Sequence, residues 1–215
     1  MLMSGAQIEG LRARKKRVAR EAIAATARRL FAERGFDRVT VAEVAAAADV
    51  SEKTVFNHFP TKEDLAFAGR EEGLMRLVAD ITQRSPGTSV LDVFRALTTS
   101  VIDNLVAPGN EDLLAVAKIL RHSPALQERL TVGWESGAAV VTAAIAETSG
   151  AADDDLLPGI VARTLWGTHR SIFLVALRGL LAEEDRERLV ARLRVTADRA
   201  YDQLAEGLGE YGQGG

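Results

Sequence analysis

The chain has 215 residues, 47% of them apolar and 5% aromatic, and its 27 Lys/Arg against 30 Asp/Glu leave a net charge of −3. This length holds one or two domains with a sizeable core, and its balanced, apolar-rich composition excludes a chain disordered throughout. There is no cysteine, which excludes disulfides, thiolate metal sites and thiol catalysis.

Residues 1–10 show no period and are expected to be disordered. Basic residues follow, but no apolar run stands behind them, so no signal peptide is expected. From Leu11 to Arg34 the pattern is helical, with Ile23, Ala27, Leu30 and Phe31 as the inward stripe. Gly35 is a natural stop, and Phe36 is placed for the apolar contact that accompanies such a cap. Thr40 and Glu43 form a capping box that opens a short second helix. After a turn at Asp49-Val50, Ser51 caps a third helix from Glu52 to about Phe59, which Pro60 ends. Thr61, with Asp64 in the box position, opens a fourth helix expected to run unbroken to about Ile81.

Ser89 and Asp92 begin a fifth helix that ends near Pro108-Gly109, and Glu111 to Arg121 makes a sixth. Ser123 is expected to cap a long seventh helix to about Thr148, with Pro124 at its first position, where a missing N–H costs nothing. An eighth spans roughly Asp155 to Ala182, a ninth Glu184 to Leu208, and the glycine-rich tail 209–215 is expected to be loose. No strand alternation and no internal repeat occur. The fold class is therefore all-α, with about nine helices. No apolar run is long enough for a membrane span, so the expected compartment is the cytoplasm, with no membrane partner.

Charge is distributed unevenly. Residues 1–62 carry 12 Lys/Arg against 7 Asp/Glu, and residues 63–215 carry 15 against 23. A basic front on an acidic body points to a polyanion-binding module joined to a second domain. Within that front, helices two and three (about 40–59) form a helix-turn-helix arrangement. Val55 and Phe59 would pack inward, leaving Lys53, Thr54, Phe56, Asn57 and His58 on an outward face free of acid beyond Glu52. Such a face can donate to phosphates and base edges in a major groove, and an exposed ring can pack on a thymine methyl.

The stretches ARRLFAERGFDRVTVAEVAAAADVS and SEKTVFNHFPTKEDL resemble the DNA-binding domain of the TetR family of bacterial repressors. The pattern from Thr54 to Leu65 carries the resemblance, which covers about a quarter of the chain by motif. It implies a three-helix DNA-binding domain at 11–66 and a helical effector-binding and dimerisation domain at 67–208. It also implies a double-stranded DNA operator as partner. By position it implies DNA contact by Thr40, Ser51, Lys53, Thr54, Phe56, Asn57, His58 and Lys62. Two departures stand out. Phe56 lacks the hydroxyl of the family's usual tyrosine, and Asn57 replaces a frequent second aromatic, which brings an amide able to pair with adenine. Other readings stand beside these. Thr40 is a cap with or without DNA, Asn57 can be solvated surface, and His58 can be a half-buried ring bonding a backbone carbonyl. Lys62 can be an ordinary first-turn lysine, although it opposes the helix dipole there. Arg12, Arg14, Lys15, Lys16, Arg17 and Arg20 place six basic residues within nine. They read either as a solvated run or, through Arg12, Arg14, Lys15, Lys16 and Arg17, as an arm on the DNA backbone or in the minor groove.

In the body, the eighth helix is apolar nearly all round and must be covered on two sides. The ninth carries Leu189, Leu193, Ala197, Ala200, Leu204 and Leu208 at helical spacing. A homodimer through these last two helices is expected, with a larger intramolecular core as the alternative. Candidate contacts to an apolar or aromatic effector are Met75, Phe94, Ile102, Trp134, Trp166, His169, Arg170 and Phe173. Residues so spaced also serve as plain core. Arg170 meets either an anionic effector or an acid such as Asp103 or Glu135. No catalytic motif, phosphate loop or metal-ligand cluster is found, so no enzyme, cofactor or metal is expected. The leading expectation is a homodimeric repressor released from a palindromic operator by a small molecule. The rival is an effector-independent, weakly specific architectural DNA binder.

Overall fold

The computed structural model describes residues 5–107 and 112–208, with side chains for 14–107 and 113–207. It is all-helical among these residues: α1 (Gly5–Arg34), α2 (Val41–Ala47), α3 (Glu52–His58), α4 (Lys62–Ala66), α5 (Arg70–Thr82), α6 (Val90–Asp103), α7 (Asp112–His122), α8 (Pro124–Ser149), α9 (Leu157–Leu181) and α10 (Arg186–Leu208). No described helix is long and apolar enough to cross a membrane. Residues 1–4, the tail 209–215 and the Arg12 side chain, about which the sequence raised expectations, lie outside the described residues.

Two boundaries differ from expectation. α1 begins at Gly5, so residues 5–10, expected to be disordered, are helical. The expected fourth helix is two helices, which makes ten where nine were expected. Phe67 N–H closes the last α4 bond onto the Glu63 carbonyl, and Gly69 then turns left-handed at φ +88°. Only glycine adopts that backbone without strain. The i to i−4 ladder restarts at Gly73, whose N–H reaches the Gly69 carbonyl.

The chain divides into two compact units. The first is the residues up to Ala68 together with Lys118–Gln127, and the second is Gly69–Ala117 with Glu128 onward. The corner between α7 and α8 thus belongs with the N-terminal unit.

In the first unit, Ile23, Ala27, Leu30 and Phe31 form the buried stripe of α1. Gly35 ends the helix at φ +87°, and Phe36 sets its ring edge-on to Phe31 with centroids 5.0 Å apart. Both predicted capping boxes, Thr40 with Glu43 and Thr61 with Asp64, are present. Each satisfies two helix N–H groups that would otherwise lack partners.

The second unit has one core, drawn from α5, α6, α8, α9 and α10. α9 and α10 approach closely where Gly179 faces Leu189: a Cβ there would come within 2.6 Å of Leu189 Cδ1. The core holds one polar chain. Thr98 Oγ1 on α6 is 2.9 Å from His169 Nδ1 on α9 and 2.7 Å from the Tyr201 hydroxyl on α10. Burial drives the His169 pKa down to about 4 and the Tyr201 pKa up to about 12, so both are neutral. An unfolded histidine titrates near 6.5. Between that pH and about 4, the unfolded chain binds a proton that the folded chain refuses. Stability is therefore expected to fall as pH drops through this window, by about 3 kcal/mol at its foot. Thermal unfolding between pH 7 and 4.5 checks this, with His169→Gln expected to show the shallower decline. An equal decline in both proteins excludes His169 as the source.

Candidate functional site

The first candidate surface is α3. Ser51 caps it, accepting from Thr54 N–H at 3.1 Å, and its hydroxyl shares a 2.9 Å hydrogen bond with the Thr54 hydroxyl. Val55 and Phe59 are fully buried and fix the rotation of the helix. Lys53, Phe56 and Asn57 are consequently exposed and Thr54 is half-exposed. Phe56 keeps 48% of its surface in solvent. The expected outward face is thus assembled on one side of one helix.

The remaining predicted contacts differ in kind. The Thr40 hydroxyl donates to Glu43 at 2.9 Å and accepts the Glu43 N–H at 3.2 Å, so it is fully engaged as a cap. The Thr40 backbone N–H and Arg34 hold the Glu43 carboxyl down to about 2. Lys62 does not extend freely: its Nζ sits 4.3 Å from the centre of the Phe36 ring and 5.8 Å from that of Phe31. Burial lowers its pKa, against the pull of Asp37, Glu63 and Glu43. His58 is half-buried, and its Nδ1 is buried without a hydrogen-bond partner. Its own carbonyl accepts from Arg20. Burial, then Lys16 and Arg20, lower its pKa, leaving a neutral ring in a basic neighbourhood.

Arg14, Lys15, Lys16 and Arg17 are exposed on α1. They belong to the helix expected from Leu11 onward, so an arm here is helical and not extended. An α-helix with side chains is about 10 Å wide and the minor groove about 6 Å, so in this form the segment can address phosphates but cannot enter that groove. Arg17 also pairs with Glu21 at 2.9 Å. Arg20 was outside the predicted contacts, yet its guanidinium lies 4.2 Å above the Phe59 ring. Its place three residues before Ile23, on the inward stripe, was the available signal.

The second candidate site lies in the second unit, where rings from three helices meet. Trp134 of α8 lies 4.8 Å from Trp166, 5.7 Å from Phe173 and 6.0 Å from His169, centroid to centroid. Phe94 of α6 reaches Trp166 at 6.2 Å. The Trp166 indole N–H donates to the Trp134 carbonyl at 2.8 Å. Its ring lies on Gly137, where a Cβ would come within 2.6 Å. Five of the eight predicted effector residues therefore converge. Met75 does not join them: it is 49% exposed on α5. Ile102 is buried in the main core. Arg170 lies 3.9 Å from Glu135, one of the two acids named for it, while Asp103 pairs with Arg194 at 2.7 Å. Arg70, Thr98 and Tyr201 border the cluster and were not anticipated. Arg70 reaches the Trp134 ring, and Thr98 with Tyr201 orients His169.

Comparison with known proteins agrees with this geometry. A family model described as bacterial regulatory proteins, tetR family, matches residues 23–68, and one described as the MftR C-terminal domain matches residues 88–209. The HTH-type transcriptional repressor Rv1474c of Mycobacterium tuberculosis is 33% identical over 122 residues, 55% of this chain and 57% of that protein. The HTH-type transcriptional regulator TcmR of Streptomyces glaucescens is 30% identical over 122 residues, 54% of each chain. The chain thus spans about half the length of the curated relatives it matches. Among solved structures, Salmonella enterica GusR covers 89% of this chain and 95% of its own, with a TM-score of 0.53 and 23% identity, a likeness of fold.

Proposed function

The chain belongs to the tetR family of bacterial regulatory proteins, and from that premise we propose that it is a homodimeric, sequence-specific DNA-binding repressor, released from a palindromic operator by a small molecule. The observation that carries the DNA-binding part is the α3 face: Lys53, Thr54, Phe56 and Asn57 project outward because Val55 and Phe59 are buried beneath them. Lys16 and Arg20, beside the neutral His58 ring, extend positive potential past the end of that helix. The dimer is supported by apolar surface left open on the last two helices, with Ile160 57% and Val195 60% exposed. A two-fold partner would bury both patches. The effector is supported by the aromatic cluster.

The test is selection of bound fragments from genomic DNA, followed by binding titrations across salt. A palindromic motif is expected, with half-sites about 34 Å apart, one helical turn. If the dimer neutralises roughly six to ten phosphates, the log–log salt slope lies near −5 to −9. Lys62→Ala is expected to weaken binding to every sequence and to shallow that slope by about one to two units per dimer. An unchanged slope would make Lys62 only a partner of Phe36. A protein that enriches no motif is the weakly specific architectural binder instead.

A further inference from the structure

Arg70 opens α5 and is half-buried. Its Cζ lies 5.6 Å from the centre of the Trp134 ring. The guanidinium rests on the bare backbone of Gly133, where a Cβ would come within 1.9 Å of Nη1. Among the described residues no carboxylate pairs with it, and after burial itself the influence that lowers its pKa is a second cation, Arg129. Beside it stands Trp134, 7% exposed, whose Nε1–H is buried with no hydrogen-bond partner. A buried indole N–H ordinarily finds an acceptor, and a buried cation ordinarily finds an anion.

Two unmatched donors, one of them charged, therefore share a patch walled by aromatic rings. An acceptor bearing negative charge is the group that both of them lack. We propose that Arg70 and Trp134 Nε1–H bind the carboxylate of a small organic anion whose flat apolar body lies against Trp134, Trp166 and Phe173. The proposal rests on the effector reading above and narrows it from apolar or aromatic compounds to acidic ones. Arg170, the cation that the sequence singles out, is not the anion's partner. Unlike Arg70, it has a carboxylate beside it: Glu135 lies 3.9 Å from it and 3.8 Å from Arg163.

Trp134 and Trp166 are the chain's two tryptophans, so intrinsic fluorescence reports on this patch. The test titrates the full-length protein, at constant ionic strength, with 1-naphthoate and with its neutral analogue 1-naphthamide. The acid is expected to bind at least tenfold tighter. Arg70→Gln should bring the two within about twofold of each other, with melting temperature confirming the fold. Gly133→Ala, which displaces the guanidinium from its seat without altering it, should reduce the preference as well. Arg170→Gln should leave it intact. Equal affinities in the unaltered protein, binding of neither compound, or a preference that survives both Arg70→Gln and Gly133→Ala would overturn the proposal.

Operator titration of the same samples separates this proposal from the function beneath it. Selective binding of the acid with unchanged operator affinity supports the anion site and removes the inducer role for that compound. Release of operator by naphthamide as readily as by naphthoate overturns the anion site and leaves the inducer role standing.

Discussion

Replacing Asn57 by alanine is expected to lower affinity for the selected operator by about 1–3 kcal/mol per half-site. Over two half-sites that is roughly 30-fold to more than 10⁴-fold. The same change should barely affect unrelated DNA. Asn57 is exposed one turn after Lys53, on the face that buried Val55 and Phe59 turn outward. Its amide offers both a donor and an acceptor, the pair that adenine presents in the major groove. The substitution should not unfold α3, because alanine is the better helix former and the side chain covers no core. Operator and random-sequence titrations at one salt concentration measure the difference. Equal losses on both would reduce Asn57 to a residue that only positions the backbone. Phe56→Ala is a weaker probe, since about half of that ring is covered by protein and its removal also disturbs packing.

Features legible in the sequence were those decided within a few residues. A cap is a side chain bonding a backbone group three positions away, so Thr40, Ser51, Thr61 and Ser89 could be placed without tertiary knowledge, and these four cap as expected, whereas Ser123 does not, its Oγ being buried without a hydrogen-bond partner. The inward stripes of α1 and α3 were legible for the same reason. The break after Ala66 was not. Glycine within a helical pattern costs only about 1 kcal/mol, so the apolar period of 65–81 ran through Gly69 without announcing a left-handed turn. The start of α1 was not legible either, because residues 5–10 carry no apolar period and yet are helical. Within the aromatic cluster, the spacing of Trp166, His169 and Phe173 on one helix was visible, but their meeting with Trp134 and Phe94 depends on how α6, α8 and α9 pack. Arg70 was invisible for a further reason. What marks it is the absence of a carboxylate nearby, and only three dimensions show that.

A compound that releases operator from this protein is expected to bind free protein at least 100-fold tighter than it binds the operator complex, about 2.7 kcal/mol of coupling. Carrying the protein from almost wholly operator-competent to almost wholly incompetent takes about 5.5 kcal/mol of differential affinity. Linkage is reciprocal, so whatever factor the compound takes from operator binding, operator takes from the compound. The fourth helix expected to run unbroken to about Ile81, which would join the two units, does not exist as one element, because the Phe67–Gly69 turn interrupts it. Nor is that path the only link: the chain also crosses between units at Ala117–Lys118 and Gln127–Glu128. α7 and α8 run through those crossings without a break. α8 also carries Trp134, about two turns beyond the second crossing, so a ligand held there acts on an element continuous with the N-terminal unit. Calorimetric titration of the compound, with and without saturating operator, measures the coupling directly. Equal affinities in the two titrations would exclude that compound as an inducer. The same equality for every acid and neutral aromatic that binds the cluster would leave a DNA-binding protein without effector control.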